Sequence, residues 1–104
     1  MGCTKLLEFS SAEIGKRIRT LSEDSANVIL RDHTQEMMDE RGITFQEVLS
    51  VLRKGAIRRE PEISEDGESL ECRMERYFAG RDIGVIAAID DETPNVVVVT
   101  TFAD

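Results

Sequence analysis

The first apolar positions to recur at helical spacing are Ile14, Ile18 and Leu21. They follow Ser10-Ser11-Ala12-Glu13, where a hydroxyl stands three residues ahead of a carboxylate in the spacing of a capping box, which predicts a helix over residues 11–23. Residues 22–27 are polar and read as a loop, and Val28-Ile29-Leu30 is apolar enough for a brief strand. Asp32 is placed to cap a second helix over 33–41, with Gln35 returning the hydrogen bond and Gly42 ending the helix in the left-handed conformation. Thr44 and Glu47 repeat the capping-box spacing ahead of a stripe made by Phe45, Val48, Leu49 and Leu52, which predicts a third helix over 44–54.

From Ala56 onward the period changes from about 3.6 to 2 and β-branched residues accumulate. Asp66-Gly67, Gly80-Arg81 and Pro94-Asn95 fall between the apolar runs as turns, so four antiparallel strands are expected. Pro61 lacks a ladder donor, which puts the strand over 57–63 at a sheet edge or ends it early. Residues 83–89 and 96–102 are apolar on both faces, the composition of strands covered by helices on one side and by something else, a partner chain being one candidate, on the other. The fold class expected is α+β, N-terminal helices on a twisted four-stranded antiparallel sheet. Phe45, Val48, Leu49, Leu52, Ile86, Ala88, Val97 and Val99 are the core candidates.

The chain has 104 residues, room for one domain, and 40% of them are apolar, enough for a core. Its net charge of −8 repels phosphate at a distance and argues against nonspecific nucleic-acid binding. The charge is uneven: residues 1–54 hold 8 basic and 9 acidic side chains, residues 55–104 hold 5 and 12. Cys3 and Cys72 are far apart and His33 is the one histidine, so no familiar zinc spacing exists, and no metal or cofactor is implied. With no signal peptide or bilayer-length apolar run, the chain reads as a soluble cytoplasmic protein with reduced thiols and no membrane partner. Met1-Gly2-Cys3-Thr4-Lys5-Leu6 lacks the hydroxyl a myristoylation signal needs at its sixth position. Phosphate-binding loops, dinucleotide glycine patterns, calcium loops and nucleophile elbows are absent from the sequence.

Three positions carry candidate chemistry. Leu70, Cys72, Met74, Arg76 and Phe78 share one strand face, which places the Arg76 guanidinium in an apolar row where it needs an anion: a pair with Asp82, Asp90 or a helix carboxylate, or a clamp on a phosphate or partner carboxylate. Arg73 lies on the opposite face between Glu71 and Glu75, where a solvated charge ladder is the plain reading. His33, at the first turn of its helix, meets the positive end of the helix dipole, which favours the uncharged imidazole that a general base requires; a packed or surface side chain is the plain alternative. Met37 and Met38 read as core filler.

His33-Thr34-Gln35-Glu36-Met37-Met38-Asp39-Glu40-Arg41-Gly42-Ile43, continuing through Thr44-Phe45-Gln46-Glu47-Val48 to Lys54-Gly55, resembles a bacterial family of small domains of unknown function whose members read His-Ala-x-x-Arg-Met-x-x-Arg-Gly-Ile. The likeness continues through Glu71-Cys72-Arg73, Gly80-Arg81-Asp82-Ile83 and the valine-rich strand ending Thr100-Thr101-Phe102, a core of about residues 28–102 with 1–27 as a helical extension. That family is similar to the BrnT and RelE/ParE toxin superfamily, which implies a RelE/ParE-like platform of helices on a sheet, used by the toxins to cleave messenger RNA without metal. The resemblance carries over His33, Arg41 and Gly42 from the helix motif and Arg73 and Arg81 from the strands. Thr34 replaces the motif's alanine and Met37 its first arginine, removing one candidate phosphate ligand.

Two functions are therefore expected to compete. One is a non-catalytic protein-interaction module whose partner is a protein, either an antitoxin or a second copy. The other is a metal-independent mRNA endonuclease toxin of a toxin-antitoxin pair. There His33 is the base, Arg41, Arg73, Arg76 and Arg81 are the candidate site residues, and RNA is bound only in this case. The acidic charge favours the first.

Overall fold

The structure, a computed structural model, describes residues 5–78 and 80–103, so Cys3 lies outside the described residues. Helix α1 spans Ser11–Leu21 and begins at a closed capping box: the Glu13 N–H donates to Ser10 Oγ (3.2 Å) and the Ser10 N–H donates to Glu13 Oε1 (2.9 Å). Helix α3, Phe45–Lys54, starts the same way on Thr44 and Glu47, as its sequence predicts. Helix α2, Asp32–Arg41, departs from expectation at its start. Arg31 is the cap residue and gives no side-chain hydrogen bond, while Asp32 sits one residue inside, its carboxylate in the first turn where the helix dipole is positive. The α2 N-terminus is instead fixed from across the molecule, Thr34 Oγ1 donating toward the carbonyls of Val98 (2.9 Å) and Val99 (3.1 Å). Gly42 ends α2 at φ 66°, and the Ile43 N–H reaches back to the Met38 carbonyl at 2.9 Å.

The strands are β1 (Val28–Leu30), β2 (Ala56–Ile57), β3 (Glu62–Ile63), β4 (Leu70–Phe78), β5 (Arg81–Ile89) and β6 (Val96–Ala103). They form one mixed sheet of order β1-β6-β5-β4-β2, with β3 also on β4, so the four-stranded antiparallel sheet expected from the sequence is corrected to six strands. The correction has two physical sources. β1 joins β6 in parallel, pairing Val28 with Val96, a pairing reached only after the chain has crossed over through α2, α3 and four further strands. The segment around Pro61 contributes two short strands instead of one, both on the outer side of β4, in keeping with a proline confined to an edge.

The helices cover one face of the sheet. Against Ile14, Ile18, Met38, Val48, Leu49 and Leu52 lie Leu70, Cys72 and Met74 of β4, Ile83, Val85, Ala87 and Ile89 of β5, and Val96 and Val98 of β6. Ile86, Val97 and Val99, expected in this core, belong to the other face and are only partly buried, as is Phe45, whereas Ala88 is buried there. An apolar run without alternation does not state its own parity, and β6 also changes parity part-way: Ile86 pairs with Thr100 and Ala87 with Val98, so Val99 is the extra residue of a bulge, after which Thr101 turns toward the helices.

Candidate functional site

Arg81 opens β5 beneath the α2–α3 junction, where its Nη2 donates to the Gly42 carbonyl (2.6 Å) and to both Glu47 oxygens (3.1 and 3.3 Å) while Nη1 reaches the Arg41 carbonyl (3.3 Å). A guanidinium so placed neutralises the negative end of the α2 dipole and binds the first turn of α3 to it. The Glu47 carboxyl is held below the usual carboxylate range, first by the Thr44 backbone N–H and then by Arg81, against an opposing effect of burial. Arg41 itself is exposed along much of its length, yet its Nη1 donates to the Thr101 carbonyl of β6. Arg41 and Arg81 thus share one corner.

The other three candidates lie elsewhere. Arg76, on the helix-facing side of β4, donates to the Ser50 hydroxyl of α3 and lies 5.3 Å from the centre of the Phe78 ring; among the described residues it has no carboxylate partner of the kind expected. Arg73 is on the opposite face, as the alternation predicts, with its Nε 2.5 Å from Glu75 Oε2 and its guanidinium carbon 4.1 Å above the Phe102 ring. The end of that ring lies over Gly84: a Cβ there would stand 2.0 Å from Phe102 Cζ. His33 is exposed at the start of α2, a helix length away from Arg41 at its end. Arg73 and Arg76 face away from each other by strand parity, so the five side chains do not line one cleft.

The second face of the sheet is the less expected feature. Ile29, Val97, Val99, Ile86 and Phe102 form a partly exposed apolar row across β1, β6 and β5, flanked on β4 and β3 by Glu71, Arg73, Glu75 and Glu62. Register sets Glu62 directly opposite Glu71, and neither carboxylate has an ion pair among the described residues. A like-charge pair directly across strands is unfavourable unless a cation reaches it. Sequence reasoning marked the uncovered face but not Gly84, Phe102, Thr34, Glu47 or Ser50 as the residues that arrange it and hold the arginines; the one local signal was a glycine interrupting an otherwise branched apolar strand.

Among the described residues no group of His, Cys, Asp or Glu is arranged to hold a metal ion, and no helix is long and apolar enough to cross a membrane. Three helices on one face of a mixed sheet define a small α+β protein. Residues 30–103 match the family described as Domain of unknown function (DUF4258), and the chain belongs to that family. No curated protein and no solved structure matches it.

Proposed function

We propose that this protein is a non-catalytic protein-interaction module of the bacterial cytoplasm, built on a platform like that of the RelE/ParE toxins and offering the uncovered face of its sheet to a protein partner. The observation that carries this reading is the engagement of the arginines. Arg41 and Arg81 donate to main-chain carbonyls at one corner, Arg76 to a hydroxyl between the layers, and Arg73 to Glu75 on the far face. A phosphoryl-transfer site needs its cationic donors to converge on one point, and these four are spread over a corner, the space between the layers and the far face of the sheet. The half-buried apolar row with its polar flank has the makeup of a protein contact surface.

Expression of the intact chain in bacteria, with parallel incubation of the purified protein and single-stranded RNA in EDTA, separates this reading from the nuclease one. The expected result is normal growth and intact RNA. Growth arrest relieved by the double variant His33→Ala, Arg73→Ala, with its fold preserved, would replace the module by a metal-independent mRNA endonuclease whose protein partner is an antitoxin.

A further inference from the structure

The segment ahead of the family match carries a surface of opposite character. Helix α1 buries Ile14 and Ile18, and its neighbouring face presents Glu13, Lys16, Arg17, Thr20 and Leu21 at intervals of three and four. Phe9, 44% exposed just before the helix, closes the end of this face, and together these side chains line an open groove of about 370 Å³. A concavity of that size accepts apolar side chains between the Phe9 ring and Leu21.

The electrostatics of the groove are as specific as its shape. Glu13 is occupied by the capping box, where the Ser10 backbone N–H holds its carboxyl below the usual range. Among the described residues neither Lys16 nor Arg17 forms an ion pair, and Arg17 Nε is buried without a hydrogen-bond acceptor. Arg19, the third cation of the helix, is engaged by the Gly55 carbonyl. A buried N–H lacking an acceptor is costly, and a ligand oxygen that reaches it recovers that cost. In a chain of net charge −8 this helix sets two cations together beside apolar surface, neither with an ion pair among the described residues.

We propose that the α1 groove binds an acidic amphipathic segment of another protein, an apolar side chain seated between Phe9 and Leu21 with flanking carboxylates on Lys16 and on the Arg17 guanidinium. This site is separate from the sheet face and stands whether or not that face binds a partner. Charge complementarity selects the occupant. A second copy brings its own −8 and is repelled as a whole, and an anionic bilayer repels the acidic molecule while two cations are too few to anchor it.

The test uses the full chain and a labelled helical peptide with Leu at positions i and i+4 and Glu on both flanks, followed by fluorescence anisotropy and by amide chemical shifts. Saturable binding is expected, with shifts at Phe9, Lys16, Arg17 and Leu21. Affinity should fall at least about tenfold in Lys16→Glu, whose side chain is exposed and leaves the core intact, and should weaken as salt rises. Arg17→Gln, which keeps the stem and removes the charge, should weaken binding as well, with an unchanged melting temperature showing that the fold is kept. Equal binding of a peptide with Lys in place of Glu, unchanged affinity in Lys16→Glu, or no binding of the acidic peptide overturns the proposal. So does preferential binding to phosphatidylserine vesicles, or self-association that disappears in Lys16→Glu.

Discussion

At Gly84 the absence of a side chain decides what the neighbouring strands can do. The Phe102 ring occupies the space a Cβ would need, and Arg73 stacks on that ring while its Nε is held by Glu75, so four residues on three strands form one small assembly. Gly84→Ala must expel the ring and is expected to destabilise the protein by about 1 to 3 kcal/mol, as overpacking does. In a Phe102→Leu background most of that loss should vanish; a double-mutant cycle by urea denaturation that shows simple additivity would dissolve the assembly into independent contacts. Cys72 makes a second prediction at this scale. Burial in the helix-facing layer, aided by the Glu71 charge, pushes its thiol up to about 12. The nucleophilic thiolate is thereby depleted, and Cys72 should resist a thiol reagent at about pH 8 in the native protein and react once unfolded, as read by mass mapping of its peptide. Because the folded value lies above the ordinary 9.0, the contribution to stability is full below pH 9 and is lost as pH rises toward 12.

The elements differ in how far the sequence announces them. Both capping boxes, the stripe of α3 and the glycine ending α2 are local signals, each complete within a few residues, and each appears in the structure where the spacing puts it. The start of α2 lies one residue ahead of its expected place, but the tie that fixes it is not legible, because Thr34 reaches the Val98 and Val99 carbonyls 64 and 65 residues away. The parallel β1–β6 pairing and the parity of β5 and β6 were hidden for the same reason: period 2 fixes alternation, not which face is covered. Among the candidate site residues, the strand faces of Arg73 and Arg76 could be read from alternation, while the hydroxyl and carbonyl partners of Arg76 and Arg81 lie 26 and 39 residues off and carry no sequence mark. The junction of α2 and α3 tests the long-range part. Thr44→Ala removes a helix cap and should cost about 0.5 to 2 kcal/mol. Glu47→Gln also loosens Arg81, and its penalty should depend on pH. With the native carboxyl held below its ordinary value of 4.5, the stabilisation is present above that pH and disappears as pH falls through the lowered value. Parallel acid denaturation of the parent and Glu47→Gln should therefore converge at low pH; a difference that persists there would assign the effect to packing.

Across the whole molecule, the boundary of the family match and the boundary of the packed core do not coincide. The match begins at residue 30, yet Leu6, Ile14 and Ile18 are 2%, 1% and 0% exposed in the same hydrophobic cluster as the sheet and α3. Polar ties run the same way: Arg53 Nε donates to the Ser22 carbonyl at 2.8 Å, and Asp91, in the β5–β6 turn, accepts the N–H groups of Lys5 and Leu6 at 2.8 and 3.1 Å. Burying three such side chains contributes roughly 5 to 9 kcal/mol at about 1.5 to 3 each, which is comparable with the whole stability of a small domain at about 5 to 15 kcal/mol. A chain cut to residues 28–104 is thus expected to lose its cooperative thermal transition and to expose the apolar surfaces of α3 and β2, detected by circular dichroism and by binding of a hydrophobic dye. A cooperative melt within a few degrees of the 104-residue chain would show instead that the family core stands alone and that α1, with its groove, is an appendage carried for binding only.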